Sequence, residues 1–144
     1  MKKITHIIHL SLFLILVLFS GCDEWKWDEN GDLDGMWQLT EWQDKATGEV
    51  IATNEDGLYY SFQLKLMKFQ QTSSDTYHLS YFTHSGNQLL IVGKTIAWPA
   101  DEECPLTDLS QYGVPSNGLF HIDALSKKRM QLSTDDAKLT FRKY

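Results

Sequence analysis

The chain has 144 residues, of which 42% are hydrophobic and 12% aromatic, and its 13 basic and 19 acidic side chains give a formal charge of −6. This length fits one folded domain rather than two, and the acidic balance argues against nucleic acid or an anionic lipid surface as a partner bound by charge. Because only two cysteines are present, a framework of several disulfides is excluded.

The first 21 residues have the layout of a secretory signal peptide. Two early lysines precede an apolar run over residues 12–19, and a small Ser-Gly pair stands directly before Cys22. The alternative is an uncleaved transmembrane anchor. A membrane span needs about 20 apolar residues, whereas His6, His9 and Ser11 interrupt this stretch. The pattern therefore predicts a signal peptide over residues 1–21.

Cys22 resembles the lipobox cysteine of bacterial lipoproteins, whose thiol receives a diacylglyceryl group and becomes the mature N-terminus after cleavage. The resemblance implies lipidation at Cys22 and a membrane partner held through acyl chains, since two or three chains anchor a protein firmly. The pair Asp23-Glu24 resembles the signal that exports some lipoproteins to the surface of Gram-negative bacteria. We expect a lipid-anchored protein on the outer face of the outer membrane, with the periplasmic face as the alternative.

Residues 22–34 are expected to form a flexible tether in front of a single domain at residues 35–144. From Asp23 to Asp34 the segment carries six acids and one lysine. Such a composition buries too little apolar surface to offset the entropy of ordering. Its two tryptophans, Trp25 and Trp27, either rest at lipid headgroup level or cap one end of the domain.

From residue 36 onward the hydrophobic pattern has period two and is broken by short turn signals, which indicates antiparallel strands. Eight strands joined by short connections can close into a meander barrel without exposed edges. The sequence therefore predicts an all-β, eight-stranded antiparallel barrel. The predicted strands are Met36–Gln43, Val50–Thr53, Leu58–Gln70, Thr76–His84, Gln88–Thr95, Leu119–Leu125, Arg129–Ser133 and Lys138–Lys143.

One phase of this alternation gives the expected inward-facing side chains. The segment Leu58–Gln70 changes phase, which predicts either a β-bulge near Met67-Lys68 or, alternatively, an amphipathic helix. The expected inward residues are Trp37, Leu39, Tyr60, Phe62, Leu64, Tyr77, Leu79, Tyr81, Leu89, Ile91, Phe120, Ile122, Met130, Leu132, Leu139 and Phe141.

The long connection from Ile96 to Gly118 interrupts the strands, and its part from Leu106 to Tyr112 is predicted to form one short helix. Loops of this length are usually lids or packed excursions. Leu109, Tyr112 and Val114 are expected to attach the loop to the barrel, and a binding role is the alternative.

Gly35-Met36-Trp37 at the start of the first strand, eight predicted strands and a basic-aromatic finish at Leu139–Tyr144 resemble a lipocalin. More narrowly, the chain resembles the lipocalin-like domains of unknown function carried by bacterial lipoproteins. The resemblance implies that Gly35 and Trp37 close one barrel end and that Arg142 stacks over the indole by a cation–π contact.

Three functions are compatible with this fold, and two of them depend on whether the interior of the eight-stranded barrel is filled by side chains or holds one small ligand. The first is binding of a small hydrophobic molecule in an apolar pocket. The alternative is an interaction or scaffold component of a cell-surface complex, with a filled barrel. A third hypothesis is glycan binding on exposed aromatic rings such as Trp42 and Trp98. The ligand-binding hypothesis assigns its pocket to Tyr60, Phe62, Tyr77, Tyr81 and Phe120.

The sequence carries no recognisable catalytic or metal-binding pattern. His78 and His84 are about 20 Å apart on an extended strand, too far to share an ion. Cys104 follows three acidic residues, which raise rather than lower a thiol pKa. No nucleophile, zinc-protease or P-loop motif occurs. We therefore expect a protein that is not an enzyme and has no metal and no cofactor.

Overall fold

The structure is a computed structural model that describes residues 29–144. It contains ten antiparallel strands and two 3-10 helices. The helices are Gly31–Leu33 and Leu106–Tyr112. The strands are β1 (Gly35–Asp44), β2 (Val50–Ala52), β3 (Leu58–Gln63), β4 (Leu66–Gln71), β5 (Tyr77–Ser85), β6 (Gln88–Trp98), β7 (Glu102–Cys104), β8 (Leu119–Leu125), β9 (Arg129–Ser133) and β10 (Ala137–Lys143).

Eight of these strands form a closed ring, which confirms the predicted fold class. The sheet runs β10-β9-β8-β6-β5-β4-β3-β1, and β10 also pairs with β1. β2 and β7 are three-residue strands that pair with β1 and β6 and stand outside the ring path. Closing the ring pairs the first strand with the last, so neither is left with the unpaired edge that promotes aggregation.

The segment predicted as one strand from Leu58 to Gln70 is a hairpin. β3 and β4 pair antiparallel with Gln63 opposite Leu66, so only Leu64 and Lys65 link them. Leu64 has a positive φ of 55°, as the first residue of a two-residue type II′ turn requires. The predicted bulge at Met67-Lys68 and the helix alternative are both wrong, because this turn accounts for the change of phase.

Three register shifts bend the ring. The first lies between Leu39 and Glu41 in β1. The second lies where Ser80 pairs with Thr95 while Tyr81 pairs with Val92, and the third lies between Ile122 and Ala124 in β8. The second shift leaves Gly93 and Lys94 unpaired with β5, and Gly93 takes a positive φ of 73°. Bulges of this kind supply the curvature that a small closed sheet needs.

A short 3-10 helix lies at each end of the ring. Gly31–Leu33 directly precedes β1 and buries Leu33 completely, although the sequence placed Leu33 in the flexible tether. The predicted helix in the long connection is confirmed as Leu106–Tyr112. Leu109, Tyr112 and Val114 are all buried in the core, as the packing interpretation expected.

The predicted signal peptide, the Cys22 lipidation site, and Trp25 and Trp27 lie outside the described residues. Between residues 29 and 144, no helix is long and apolar enough to span a bilayer.

Candidate functional site

The interior of the ring is occupied by aromatic side chains that meet around Tyr60. The ring centroids of Phe69 and Phe141 each lie 4.8 Å from that of Tyr60, and those of Phe120 and Phe62 lie at 6.2 and 6.4 Å. Most of these pairs are edge to face, a geometry that aromatic quadrupoles favour. Each of the five side chains is at most 2% exposed. The protein's own aromatic side chains therefore fill this part of the interior.

The structure brings together three of the five residues assigned to a ligand pocket. Tyr60, Phe62 and Phe120 belong to this interior cluster. Tyr77 and Tyr81 do not, since Tyr81 is 57% exposed and Tyr77 is half-buried on the same outer side of β5. The prediction that Tyr77, Leu79 and Tyr81 face inward is wrong.

The opposite phase of β5 fills the interior instead. His78, Ser80 and Phe82 are its buried residues. Phe82 packs edge to face on Phe62 at 5.4 Å, and the Ser80 hydroxyl lies 2.7 Å from the Thr95 hydroxyl in a hydrogen bond. That bond offsets the cost of burying two polar groups. The outer phase of β5 is the more apolar of the two, so alternation alone indicated the wrong face.

The second 3-10 helix closes one end of the ring, which we call the Tyr112 end. It inserts Leu109 and Tyr112 into the core, and the Tyr60 hydroxyl donates to the Tyr112 carbonyl oxygen at 2.6 Å. Burial raises the pKa of Tyr60 well above its ordinary value, and Tyr112 adds to the effect. Gly113 ends the helix at a φ of 84°, as left-handed helix caps do.

His78 lies beneath this helix with its ring centroid 5.9 Å from that of Tyr112. It is only 8% exposed. Burial lowers its pKa, and the Asp108 carboxylate partly offsets that effect. Within residues 29–144, its Nδ1 atom has no hydrogen-bond partner. A neutral imidazole is therefore the form that this end of the ring accommodates.

The other end, which we call the Trp37 end, is closed by Trp37 and the first 3-10 helix. The Trp37 indole is fully buried, and its Nε1 donates to the Leu33 carbonyl oxygen at 2.7 Å. The Lys143 Nζ lies 4.8 Å from the indole centroid and donates to the Asp32 carbonyl oxygen at 2.9 Å.

Gly35 is required at this end because of its backbone conformation, which residues with a Cβ atom rarely adopt. Its φ is +114°, and a Cβ atom there would lie 2.9 Å from the Lys143 Cε atom. Because Gly35 has no Cβ atom, Lys143 has room to reach the indole of Trp37.

The cation over the indole was assigned to the wrong residue. Arg142 lies on the opposite side of β10, where its Nε donates to the Gln38 Oε1 at 2.8 Å. Lys143 lies on the same inward side of β10 as Leu139 and Phe141. The alternation along β10 could therefore have identified Lys143, rather than Arg142, as the cation over the indole.

Cys104 is half-buried and has no disulfide partner among the described residues. Partial burial raises the pKa of its thiol, and Asp108 raises it further. No group of three or more metal-ligating side chains assembles within residues 29–144.

The outward phase of β5 produces an exposed apolar surface that the sequence analysis missed. Trp98 is 44% exposed and Leu66 39% exposed. The ring of Tyr77 stacks beside that of Trp98 at 6.2 Å and 29°, with the Lys68 Nζ 4.4 Å from the Tyr77 centroid. We call this surface the outer apolar face. Its members are Leu66, Tyr77, Leu79, Tyr81, Val92, Ile96 and Trp98.

The two tryptophans proposed to stack on glycans lie in different surroundings. Trp98 is an exposed member of the outer apolar face. Trp42 packs against the core instead, close to Gly113 at the Tyr112 end.

Solved structures similar to this chain come from bacteria. A lipocalin-like protein from Bacteroides uniformis is 24% identical with a TM-score of 0.58, over 79% of this chain and 100% of that one. An uncharacterized protein from Bacteroides eggerthii is 26% identical with a TM-score of 0.57, over 78% and 99%. A protein from Burkholderia xenovorans shares 15% identity with a TM-score of 0.53, over 78% and 83%. These likenesses support the fold.

The family comparison gives the assignment. No curated protein matches this chain. The family model described as a lipocalin-like domain matches residues 17–144, which include the whole ring and both of its closed ends. This chain therefore belongs to the lipocalin-like domain family.

Proposed function

We propose that this chain is a lipid-anchored, non-enzymatic interaction module of the bacterial cell envelope, in which a filled lipocalin-like ring serves as a rigid unit. The signal-peptide layout and the lipobox-like Cys22 support the anchor, and the acidic pair after Cys22 supports exposure on the outer membrane surface. The ring is the folded domain that this anchor holds at the membrane.

The filled interior is the observation that carries the proposal. Eight aromatic side chains inside the ring are at most 2% exposed, so several of them would have to move to admit a drug-sized molecule. They are Trp37, Tyr60, Phe62, Phe69, Phe82, Tyr112, Phe120 and Phe141. Cores packed to this degree resist changes in volume, so the specificity of the module lies on its outer surface.

The anchor is tested with Cys22→Ser in a Gram-negative host. We expect the wild-type chain in the membrane fraction, released by detergent and heavier than the bare polypeptide by a diacylglyceryl group. The serine variant should keep its signal peptide and lack the diacylglyceryl group, so its mass should differ from that of wild type on both counts. Ser20→Thr, beside the processing site, serves as the matched control and should fractionate like wild type. A serine variant that stays in the membrane fraction at the wild-type mass contradicts the anchor.

The filled interior is tested by native mass spectrometry on the full chain purified from its host envelope. We expect the mass of the lipidated chain with no additional non-covalent small molecule. Dodecanoic acid added at tenfold excess should leave the spectrum and the thermal unfolding midpoint unchanged. A stoichiometric small molecule that survives purification would overturn the filled-ring proposal without touching the anchor.

A second candidate function is binding of a small apolar ligand behind the 106–112 helix. Two observations favour it. Leu109 and Tyr112 enter the core from a helix in a long connection, and the His78 Nδ1 has no hydrogen-bond partner among the described residues. If the helix is displaced by a ligand, the vacated space is apolar with one imidazole.

This candidate is tested with the same fatty acid and the Tyr112→Ala variant. Binding by wild type, with increased proteolytic cleavage between residues 105 and 118, supports a displaced helix. Binding by Tyr112→Ala alone shows that the substitution made a cavity and contradicts a native pocket. Leu33→Ala, which opens the opposite end, is the matched control.

A further inference from the structure

The outer apolar face has a regular layout across three neighbouring strands. Cross-strand pairing forms three rows on the outside of β4, β5 and β6, and seven of the nine side chains are apolar or aromatic. The rows are Gln70–Tyr77–Trp98, Lys68–Leu79–Ile96 and Leu66–Tyr81–Val92. With strands about 4.8 Å apart and rows about 7 Å apart, the grid covers roughly 300 Å².

This footprint falls in the range of the largest apolar patch on a typical monomer, about 300–600 Å², and such patches are often functional. A stable interface buries about 800 Å² on each partner. The grid therefore has the size of an interface centre, which the neighbouring polar side chains would surround as a rim.

Opposite charges flank the grid along its middle row. On the β4 side the row begins with Lys68. On the other side Ile96 pairs with Glu103 of β7, so the row reads Lys68–Leu79–Ile96–Glu103. Glu103 is 57% exposed and forms an exposed ion pair with Lys94, a kind of pair that holds its members only weakly.

We propose that the outer apolar face is a homodimer interface, on which a second copy of this chain packs face to face about a two-fold axis parallel to the strands. Such an axis, placed between β5 and β6, lays β4 of one copy over β7 of its partner. Lys68 then faces the partner's Glu103, and the same ion pair forms twice, as an isologous interface requires.

The charges select this axis over the other one that brings the same faces together. A two-fold axis across the strands would place β4 over β4 and Lys68 against the same lysine of the partner, and like charges in close contact oppose association. The selected axis also keeps the strands of the two sheets aligned, as in common sheet-on-sheet packing.

The same axis fits attachment to a membrane, a point that rests on the proposed lipid anchor. A two-fold axis along the strands leaves both Trp37 ends, where the chain enters β1 at Gly35, on the same side of the dimer. Both anchors then reach one membrane. The dimer itself is argued from the surface alone and stands without the anchor.

The test is a charge swap on the full chain, purified from membranes in detergent and measured by sedimentation equilibrium. We expect a wild-type dimer, with dimer affinity at least tenfold weaker in Lys68→Glu and in Glu103→Lys. The double variant, Lys68→Glu with Glu103→Lys, should recover affinity to within about threefold of wild type, because the ion pair is restored with its signs reversed.

Two further variants separate the interface from general surface effects. Tyr81→Asp, at the centre of an outer row, should abolish the dimer at micromolar concentration while circular dichroism shows an intact fold. Ile51→Asp, an equally exposed apolar position on β2 (53% against 57%), should leave the dimer unchanged. A monomeric wild-type chain at 100 µM, or a double variant no tighter than the single ones, overturns the proposal. A monomer that binds phosphatidylcholine vesicles through Tyr81 would overturn it as well and assign the face to lipid.

Discussion

The two ends of the ring are each closed by a short 3-10 helix, but the two closures are held differently. At the Trp37 end, hydrogen bonds tie the helix to the ring: the Leu33 carbonyl accepts from Trp37, and the Asp32 carbonyl accepts from Lys143. Just before the helix, the Asn30 Nδ2 donates to the Leu64 carbonyl oxygen at 2.8 Å. The segment leads directly into β1.

At the Tyr112 end, the helix lies inside a long connection between β7 and β8. Its main ties are the buried side chains of Leu109 and Tyr112 and the hydrogen bond from Tyr60. Closures held by few ties open at a lower free energy than the fold as a whole. We therefore expect the Trp37 end to unfold together with the core and the Tyr112 end to open locally at a lower free energy.

Trp37→Ala should produce the largest effect. It tests the Trp37 end, which is the more firmly held of the two. Deleting a fully buried indole costs about 3–5 kcal/mol of unfolding free energy, since the cavity cannot collapse between hydrogen-bonded elements. Chemical denaturation followed by circular dichroism measures the loss. Trp98→Ala, which removes an exposed indole, is the matched control and should cost less than about 1 kcal/mol. Equal losses would mean that Trp37 does not hold its end together.

The sequence predicted the ring well because alternation and turn residues agree along most strands. β8 and β9 have the predicted bounds, Leu119–Leu125 and Arg129–Ser133. Their turn residues fix the pairing beside the turn, where Leu125 lies opposite Met130, and slipping by one residue would expose the apolar set. The predicted helix at Leu106–Tyr112 also has its predicted bounds.

Two features could not be predicted from the same patterns. The turn between β3 and β4 uses Leu64 and Lys65, which carry none of the usual turn signals. In β5 the outer side chains are more apolar than the inner ones. Tyr77, Leu79 and Tyr81 face outward, whereas the inner set includes the polar residues His78 and Ser80. Side chains from other strands and from Tyr112 fill the interior, so the larger side chains of β5 do not fit there. This constraint depends on the whole ring and cannot be derived from the pattern of one strand.

Lys143→Met should have a smaller effect. It measures how much Lys143 contributes to the stability of the Trp37 end. Methionine keeps most of the apolar stem, so the variant removes the cation over the indole and the hydrogen bond to Asp32. Together these are worth about 1–2 kcal/mol. Lys143→Arg should restore most of the loss in the same denaturation measurement. Lys138→Met, a half-buried lysine on the same strand, is the control, and a loss as large there would remove the special role of Lys143.

Acidification should have the smallest effect and should act on the Tyr112 end alone. Burial lowers the pKa of His78 below its ordinary value near 6.5, with Asp108 opposing. The unfolded chain therefore binds this proton more readily than the folded chain. The His78 contribution to stability is complete above the unfolded pKa of about 6.5 and is lost as the pH falls through the lowered folded pKa.

Hydrogen exchange between pH 7.5 and pH 5 measures this effect at both ends. After correction for intrinsic exchange rates, the amides of Leu109 and Tyr112 should lose protection on acidification, while those of Leu33 and Trp37 should not. His78→Gln should remove this pH dependence, and His121→Gln, an outward-facing position on β8, should retain it. Equal loss of protection at both ends would show that the ring opens as one unit, and the contrast between its two closures would then be wrong.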